Sequence, residues 1–312
     1  MEPFACLLSR PSRSLDISRP RQWGTQRVGF AGAWAQLEAL TTTPSDVVVA
    51  LIDTGMNFNH EDLQGRFWVN TGEIPGNGVD DDFNGALTAA LGFVDDVNGF
   101  NIVATRRAFG QVSSSSSEQS TFHAVAAGKL MNRLNGSPVD DGGHGTHNAG
   151  IIAAQLNNLG VAGAAGRNQH IKLMVVKARM RCSLALTSQG GYKSDAIEAL
   201  NYAMAMGAEI SSNSWGGHSE SPAMQSAIQS HLEYCGSIRG VKHVYKYTYK
   251  GHDAAEFHSA SSLCQDIVSY LSLKLRGTYL GNMQYSSLTG TSFGTSIALC
   301  LRRSLNAFSA KV

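Results

Sequence analysis

A chain of 312 residues, 43% of them hydrophobic, can bury a full core as one large domain or as one domain with an appendage. Its 25 basic and 24 acidic residues leave a formal net charge of +1, which argues against a nucleic-acid or anionic-membrane surface. Thirty-three glycines against seven prolines fit an α/β enzyme with many tight loops, and five scattered cysteines without a Cys-x-x-Cys pair argue against a zinc ribbon or dense disulfide scaffold.

In chain order, residues 1–20 are Ser/Arg/Pro-rich and read as a loose N-terminal arm. Their apolar stretch is too short for a signal peptide, and no run in the chain approaches the roughly 18–20 residues of a membrane span. Asp46 to Ile52 is an aliphatic, β-branched run that predicts a buried parallel strand delivering Asp53 at its C-terminal end. Residues 70–102 form an Asn/Asp/Gly-rich loop region, and Ser113 to Ser117 a surface insertion. The small residues after His144 predict a buried helix, and Ile171 to Ala178 a second strand. Ser194-Asp195 would cap a helix with Ile197, Leu200 and Met204 on one face, ended by Gly207. Glu209 to Trp215 reads as a strand. Ser221-Pro222 would open a helix bearing Met224, Ile228, Leu232 and Cys235, stopped at Gly236. Val244 to Tyr249 alternates like a strand, and Leu263, Ile267, Leu271 and Leu275 have helical spacing. Strands alternating with helices predict an α/β fold, a parallel β-sheet with helices on both faces.

Three short stretches carry the chemistry: Asp53-Thr54-Gly55, His144-Gly145-Thr146-His147 and Gly290-Thr291-Ser292. A serine hydroxyl needs a base to take its proton, imidazole suits that task, and a carboxylate fixes the imidazole tautomer. Each stretch alone is weak, since Asp-Thr-Gly also serves aspartic proteases and phosphate-transfer enzymes. The order Asp, His, Ser is that of the subtilisin version of the triad. His144 and His147 as transition-metal ligands lack a nearby acid that would complete a zinc signature.

With these motifs the chain resembles the subtilisin-like serine proteases, the subtilases. His60-Glu61-Asp62-Leu63 is similar to the family's His-Pro-Asp-Leu, and Asn157 to Gly163 to its loop after the histidine helix. Ser211 to Gly217 is similar to the segment that pairs with substrate as an added strand. The resemblance implies a domain over residues 21–312 with Ser292 as nucleophile, His144 as general base and acid, and Asp53 as orienting carboxylate. It implies polypeptide substrates lying along Ser214, Trp215 and Gly216, secretion, and an inhibitory folding prosegment that is not visible here. The mature domain is expected to begin near Arg21-Gln22-Trp23-Gly24.

Departures are as informative. Phe293-Gly294-Thr295-Ser296 lacks the family's proline after the serine, and Asn148 stands where the family has an apolar residue. Residues 236–286 lack the resemblance, including the Ala-Gly-Asn-type strand end that supplies the oxyanion asparagine; Asn282 is too close to Ser292 to replace it. Two readings follow: a serine endopeptidase, or a catalytically dead subtilase-like protein that binds peptides or regulates. Calcium is the implied cofactor. Asp80-Asp81-Asp82-Phe83-Asn84-Gly85 and Asp95-Asp96-Val97-Asn98-Gly99 cluster oxygen donors with a turn glycine, and Asp62 matches a family calcium aspartate. Asp62, Asp80, Asp82 and Asn84 are the candidate ligands. Plain Asx turns are the competing reading of this loop.

Overall fold

Strand β1, Val47–Asp53, is buried along nearly its whole length, and its two faces serve two cores. Val47, Val49 and Leu51 point into one with Leu173, Val175, Met56, Ala149 and Ile152. Ala50 and Ile52 point into the other with Met174, Val176, Leu200 and Tyr202. A strand apolar on both faces belongs in a sheet covered on both sides. That sheet is parallel, ordered β2-β3-β1-β4, with β2 Gly99–Phe100, β3 Ile171–Lys177 and β4 Ile210–Asn213. The computed structural model describes residues 22, 32, 34–35, 45–84, 93–103, 137–157, 159–178, 191–214, 221–239, 274–278 and 285–289. Among them no helix is long and apolar enough to cross a membrane.

Helix α1, His144–Ala153, covers one face, and α2, Lys193–Ala205, and α3, Pro222–Arg239, the other. The strands expected at Asp46 to Ile52, Ile171 to Ala178 and Glu209 to Trp215, and the helices expected after His144, Ser194 and Ser221, are thus present, with differences at their edges. β2 adds a short strand inside the stretch read as loop. Tyr192, not Ser194 or Asp195, occupies the N-cap of α2 and makes no side-chain cap bond. The buried residues of α2 are Asp195, Ala196, Ala199, Leu200, Tyr202 and Ala203, with Ile197 at the margin: three alanines let the helix lie close to the sheet and Tyr202 fills the space beside them. The chain does turn out of α2 at Gly207, φ 79°. Ser221 Oγ accepts from Met224 N at 3.3 Å, as a cap should, but α3 continues through Gly236 to Arg239. An interior glycine costs only about 1 kcal/mol, which a packed helix absorbs.

Lys274–Thr278, β5, pairs antiparallel with β6, Tyr285–Thr289. Leu275 therefore belongs to a strand, not to the helix its spacing with Leu271 predicts: ladder pairing overrides a marginal local pattern. β5 runs alongside α1. Leu263, Ile267, Leu271, Val244 to Tyr249, Ser113 to Ser117, residues 1–20 and Asn282 lie outside the described residues.

Candidate active site

Parallel pairing aligns the C-terminal ends of the strands, where open α/β sheets place their chemistry. Asp53 ends β1 opposite Lys177 of β3, and β4 leaves the sheet at Ser214, one residue after Asn213 pairs with Ile52. Gly55 and Gly145 then let strand end and helix start meet. A Cβ on Gly145 would sit 2.1 Å from Gly55 O, and one on Gly55, at φ 107°, would sit 2.4 Å from Pro138 O. Only glycine permits that approach.

The approach brings His144, first residue of α1, onto Asp53. Nδ1 lies 2.8 Å from Oδ1 and 3.0 Å from Oδ2. A carboxylate only accepts, so Nδ1 carries the proton and Nε2 is the basic nitrogen. Thr54 N donates to Asp53 Oδ1 at 2.7 Å and Asn148 Nδ2 to Oδ2 at 2.9 Å. Asp53 is 2% exposed and the His144 side chain 15%. Burial is the strongest single influence on His144 and disfavours the imidazolium. The charge and hydrogen bond of Asp53, helped by Asp140, outweigh it and hold the pKa above the ordinary imidazole value.

Asp140, which sequence reasoning passes over, is the organiser of this junction. N-cap Gly143 offers no side chain, so Asp140 takes the open donors. Its Oδ1 accepts from Gly142 N (2.8 Å), Gly143 N (2.9 Å) and Thr54 Oγ1 (2.7 Å). Its Oδ2 accepts from Thr146 N (2.8 Å) and Thr146 Oγ1 (2.5 Å). Thr54 Oγ1 in turn accepts from Gly145 N at 2.9 Å, tying β1 to the first turn of α1. The signal was present as an aspartate just ahead of a helix. Lys177, buried at 6%, donates to Val139 O at 2.7 Å and pairs with Asp141 at 3.2 Å.

A second group of carboxylates forms away from the Asp53–His144 pair. Glu73, Asp80 and Asp82 bring ligand oxygens within 4.8 Å of one another. Asn84 joins them through its Nδ2 on Asp82 Oδ2 at 3.0 Å, and its Oδ1 is buried without a hydrogen-bond partner. Asp80, Asp82 and Asn84 are thus together, with Glu73 added and Asp62 not among them. Asp62 is buried in the 3-10 turn Glu61–Leu63, where its Oδ2 accepts from Val161 N at 2.9 Å. Ser292, Trp215 and Gly216 lie outside the described residues.

A parallel sheet with a carboxylate–imidazole pair at its strand ends places the chain among the α/β folds that gather polar groups at the C-terminal edge of the sheet. The chain belongs to the subtilase family: the Peptidase S8 (Subtilase family) profile matches residues 44–245. It is similar to Subtilisin-like protease 1 of Plasmodium vivax, 30% identical over 225 residues, which cover 72% of this chain and 28% of that protein. Subtilisin-like protease 1 of Plasmodium berghei (strain Anka) is 32% identical over 165 residues, 52% of this chain and 21% of that protein. The major intracellular serine protease of Bacillus subtilis (strain 168) is 36% identical over 91 residues, 29% of this chain and 26% of that protein. The chain thus spans under a third of the length of these relatives. Its fold is that of fervidolysin from Fervidobacterium pennivorans, described as a keratinolytic enzyme related to subtilisin. The TM-score is 0.54 at 18% identity, over 96% of this chain and 41% of that one.

Proposed function

We propose that the chain is a serine endopeptidase. The single observation that carries the reading is the 2.8 Å contact between His144 Nδ1 and Asp53 Oδ1 at the strand ends of a subtilase sheet. Ser292 is the nucleophile in this reading. It follows β6 by three positions, and the hairpin of β6 lies through β5 along α1, the helix that begins with His144. Ser292 Oγ attacks the scissile carbonyl carbon as its proton passes to His144 Nε2. Asp53 stabilises the imidazolium, which then protonates the leaving amine and leaves an acyl-enzyme for water to cleave. Extended polypeptide would lie along Ser214, Trp215 and Gly216, within a domain of residues 21–312.

Labelling by a fluorophosphonate tests this. The parent chain should label and cleave a fluorogenic peptide, and Ser292→Ala should do neither. Labelling that survives Ser292→Ala sinks the assignment. The second reading, a peptide-binding or regulatory protein without turnover, is favoured by the Phe293-Gly294-Thr295-Ser296 context and by the missing Ala-Gly-Asn segment. It predicts peptide binding in fluorescence anisotropy by a folded chain that does not label.

Calcium fits the acidic loop as a structural cofactor. Every donor offered there is oxygen, from Glu73, Asp80 and Asp82, and the unpartnered Asn84 Oδ1 is an acceptor a hard cation would satisfy. Bound calcium would neutralise like charges and pin the loop to β2. A hundredfold excess of calcium over its Kd should stabilise the chain by about 2.7 kcal/mol, an effect that Asp82→Asn should diminish. A melting temperature indifferent to calcium would refute the assignment.

A further inference from the structure

Asn148 is a buried polar group that neither the core nor the reaction above accounts for. It lies one turn beyond His144 on α1, at the spacing that sets two side chains on one helix face. It is fully buried. Its Nδ2 is 2.9 Å from Asp53 Oδ2 and 3.4 Å from His144 Nδ1. A carboxylate accepts only, so the N–H end of the amide faces Asp53. His144 Nδ1 is itself a donor to Asp53, so the 3.4 Å approach brings two donors side by side. They converge on one acceptor. Each Asp53 oxygen then has a partner besides the imidazole: Thr54 N on Oδ1 and Asn148 Nδ2 on Oδ2. An apolar residue at 148 would cover the same face of the helix and leave Oδ2 without that donor.

We infer that Asn148 is a positioning residue of the Asp53–His144 pair, whose amide holds the plane of the Asp53 carboxylate and draws part of its charge away from His144. Two consequences follow. The imidazole is held in one orientation from both sides of the carboxylate, which bears on the rate of proton transfer rather than on substrate binding. The positive end of the amide dipole beside Nδ1–H disfavours the imidazolium, so removing it lets Asp53 hold that proton more tightly. The other charged groups of the neighbourhood stay constant in such an experiment. Among the described side chains they are Asp53 on β1, Asp140 and Asp141 ahead of α1, and Lys177 on β3. The effect on turnover rests on the peptidase reading; the effect on the imidazole does not.

The test compares the parent chain with Asn148→Leu, similar in shape and apolar, or with Asn148→Val if the leucine variant does not melt cooperatively. The first readout is the NMR titration of the His144 Cε1 proton in a Ser292→Ala background, assigned by its loss in His144→Gln. The midpoint should be higher in the apolar variant; an equal or lower midpoint overturns the inference. The second readout is peptide cleavage. The variant should lose about tenfold in kcat with KM unchanged, and its acidic limb should move to higher pH. An unchanged kcat with an unmoved limb overturns the role, as does a loss carried by KM. If the parent cleaves no peptide, the peptidase reading fails and the titration alone decides Asn148.

Discussion

The junction of β1 with α1 and the acidic loop of residues 70–84 both hold carboxylates away from water, and they solve the problem in opposite ways. At the junction donors match acceptors. Asp53 receives His144, Thr54 N and Asn148, and Asp140 receives five hydrogen bonds from Thr54, Gly142, Gly143 and Thr146. In the loop the carboxylates face one another. Burial, first, and the charges of Asp96 and Asp82 push Glu73 up, although the backbone N–H groups of Asp81 and Asp82 pull the other way. Asp96, fully buried, is likewise held above the usual carboxylate range by burial and by Asp82. Tyr202, Asn70 and Asn84 oppose the shift with hydrogen bonds. Where donors are few, burial and neighbouring charge push a carboxyl upward, as at Glu73 and Asp96. The junction matches its acceptors with donors of the chain itself, whereas the loop leaves the like charges that the proposed calcium would offset.

Removing the acceptor at the junction should have the largest effect of all. Asp53→Ala leaves His144 without the group that fixes its tautomer, and kcat for peptide cleavage should fall about 10⁴-fold at little change in KM. A fall of less than tenfold would break the claim that the junction is a catalytic rather than a packing device. Next comes Asp140→Ala. It strips the first turn of α1 of its caps and leaves Thr54 and Thr146 short of an acceptor. Urea denaturation should show a loss of about 3 kcal/mol. Equal stability would mean that water replaces the carboxylate, and that the junction is less self-contained than its hydrogen bonds imply.

The same contrast explains what could be read in the sequence. β1 and β3 were legible because their aliphatic runs are buried on both faces, and His144 and Asp53 because small flanking residues announced a close approach. Gly145 against Gly55 is that approach. Asp80, Asp82 and Asn84 were legible as clustered oxygen donors. Glu73 was not, since a lone glutamate seven residues before Asp80 carries no pattern and joins the cluster only when the loop folds back. Asp140 had a helix-cap signal that was overshadowed by the histidine motif beside it. Leu275 misled because two leucines four apart fit a helix, while its partner strand stood ten residues further on. In the sequence Asn148 is legible only as a polar residue at an apolar position; its use depends on a strand nearly a hundred residues earlier in the chain.

The smallest of the three effects is a pH dependence, and it separates the two regions by sign and window. A carboxyl whose pKa is raised on folding stabilises the native state fully below its unfolded pKa, and that contribution is lost as pH rises through the folded pKa. Glu73 and Asp96 are both of this kind, so in calcium-free buffer their contribution should grow as pH falls from neutrality toward the ordinary carboxylate range. His144 is raised as well, but its contribution is fully present below the ordinary imidazole value and lost only as pH climbs through its own higher folded pKa. The two can be isolated by measuring the unfolding free energy of the parent against Asp96→Asn and, separately, against His144→Gln across pH. The first difference should rise on the acidic side in a chelator and flatten or reverse with calcium, because a dication favours the ionised carboxylates. The second should ignore calcium altogether. If calcium moves the histidine difference too, the junction and the loop are coupled, and the idea of two independently balanced carboxylate clusters fails.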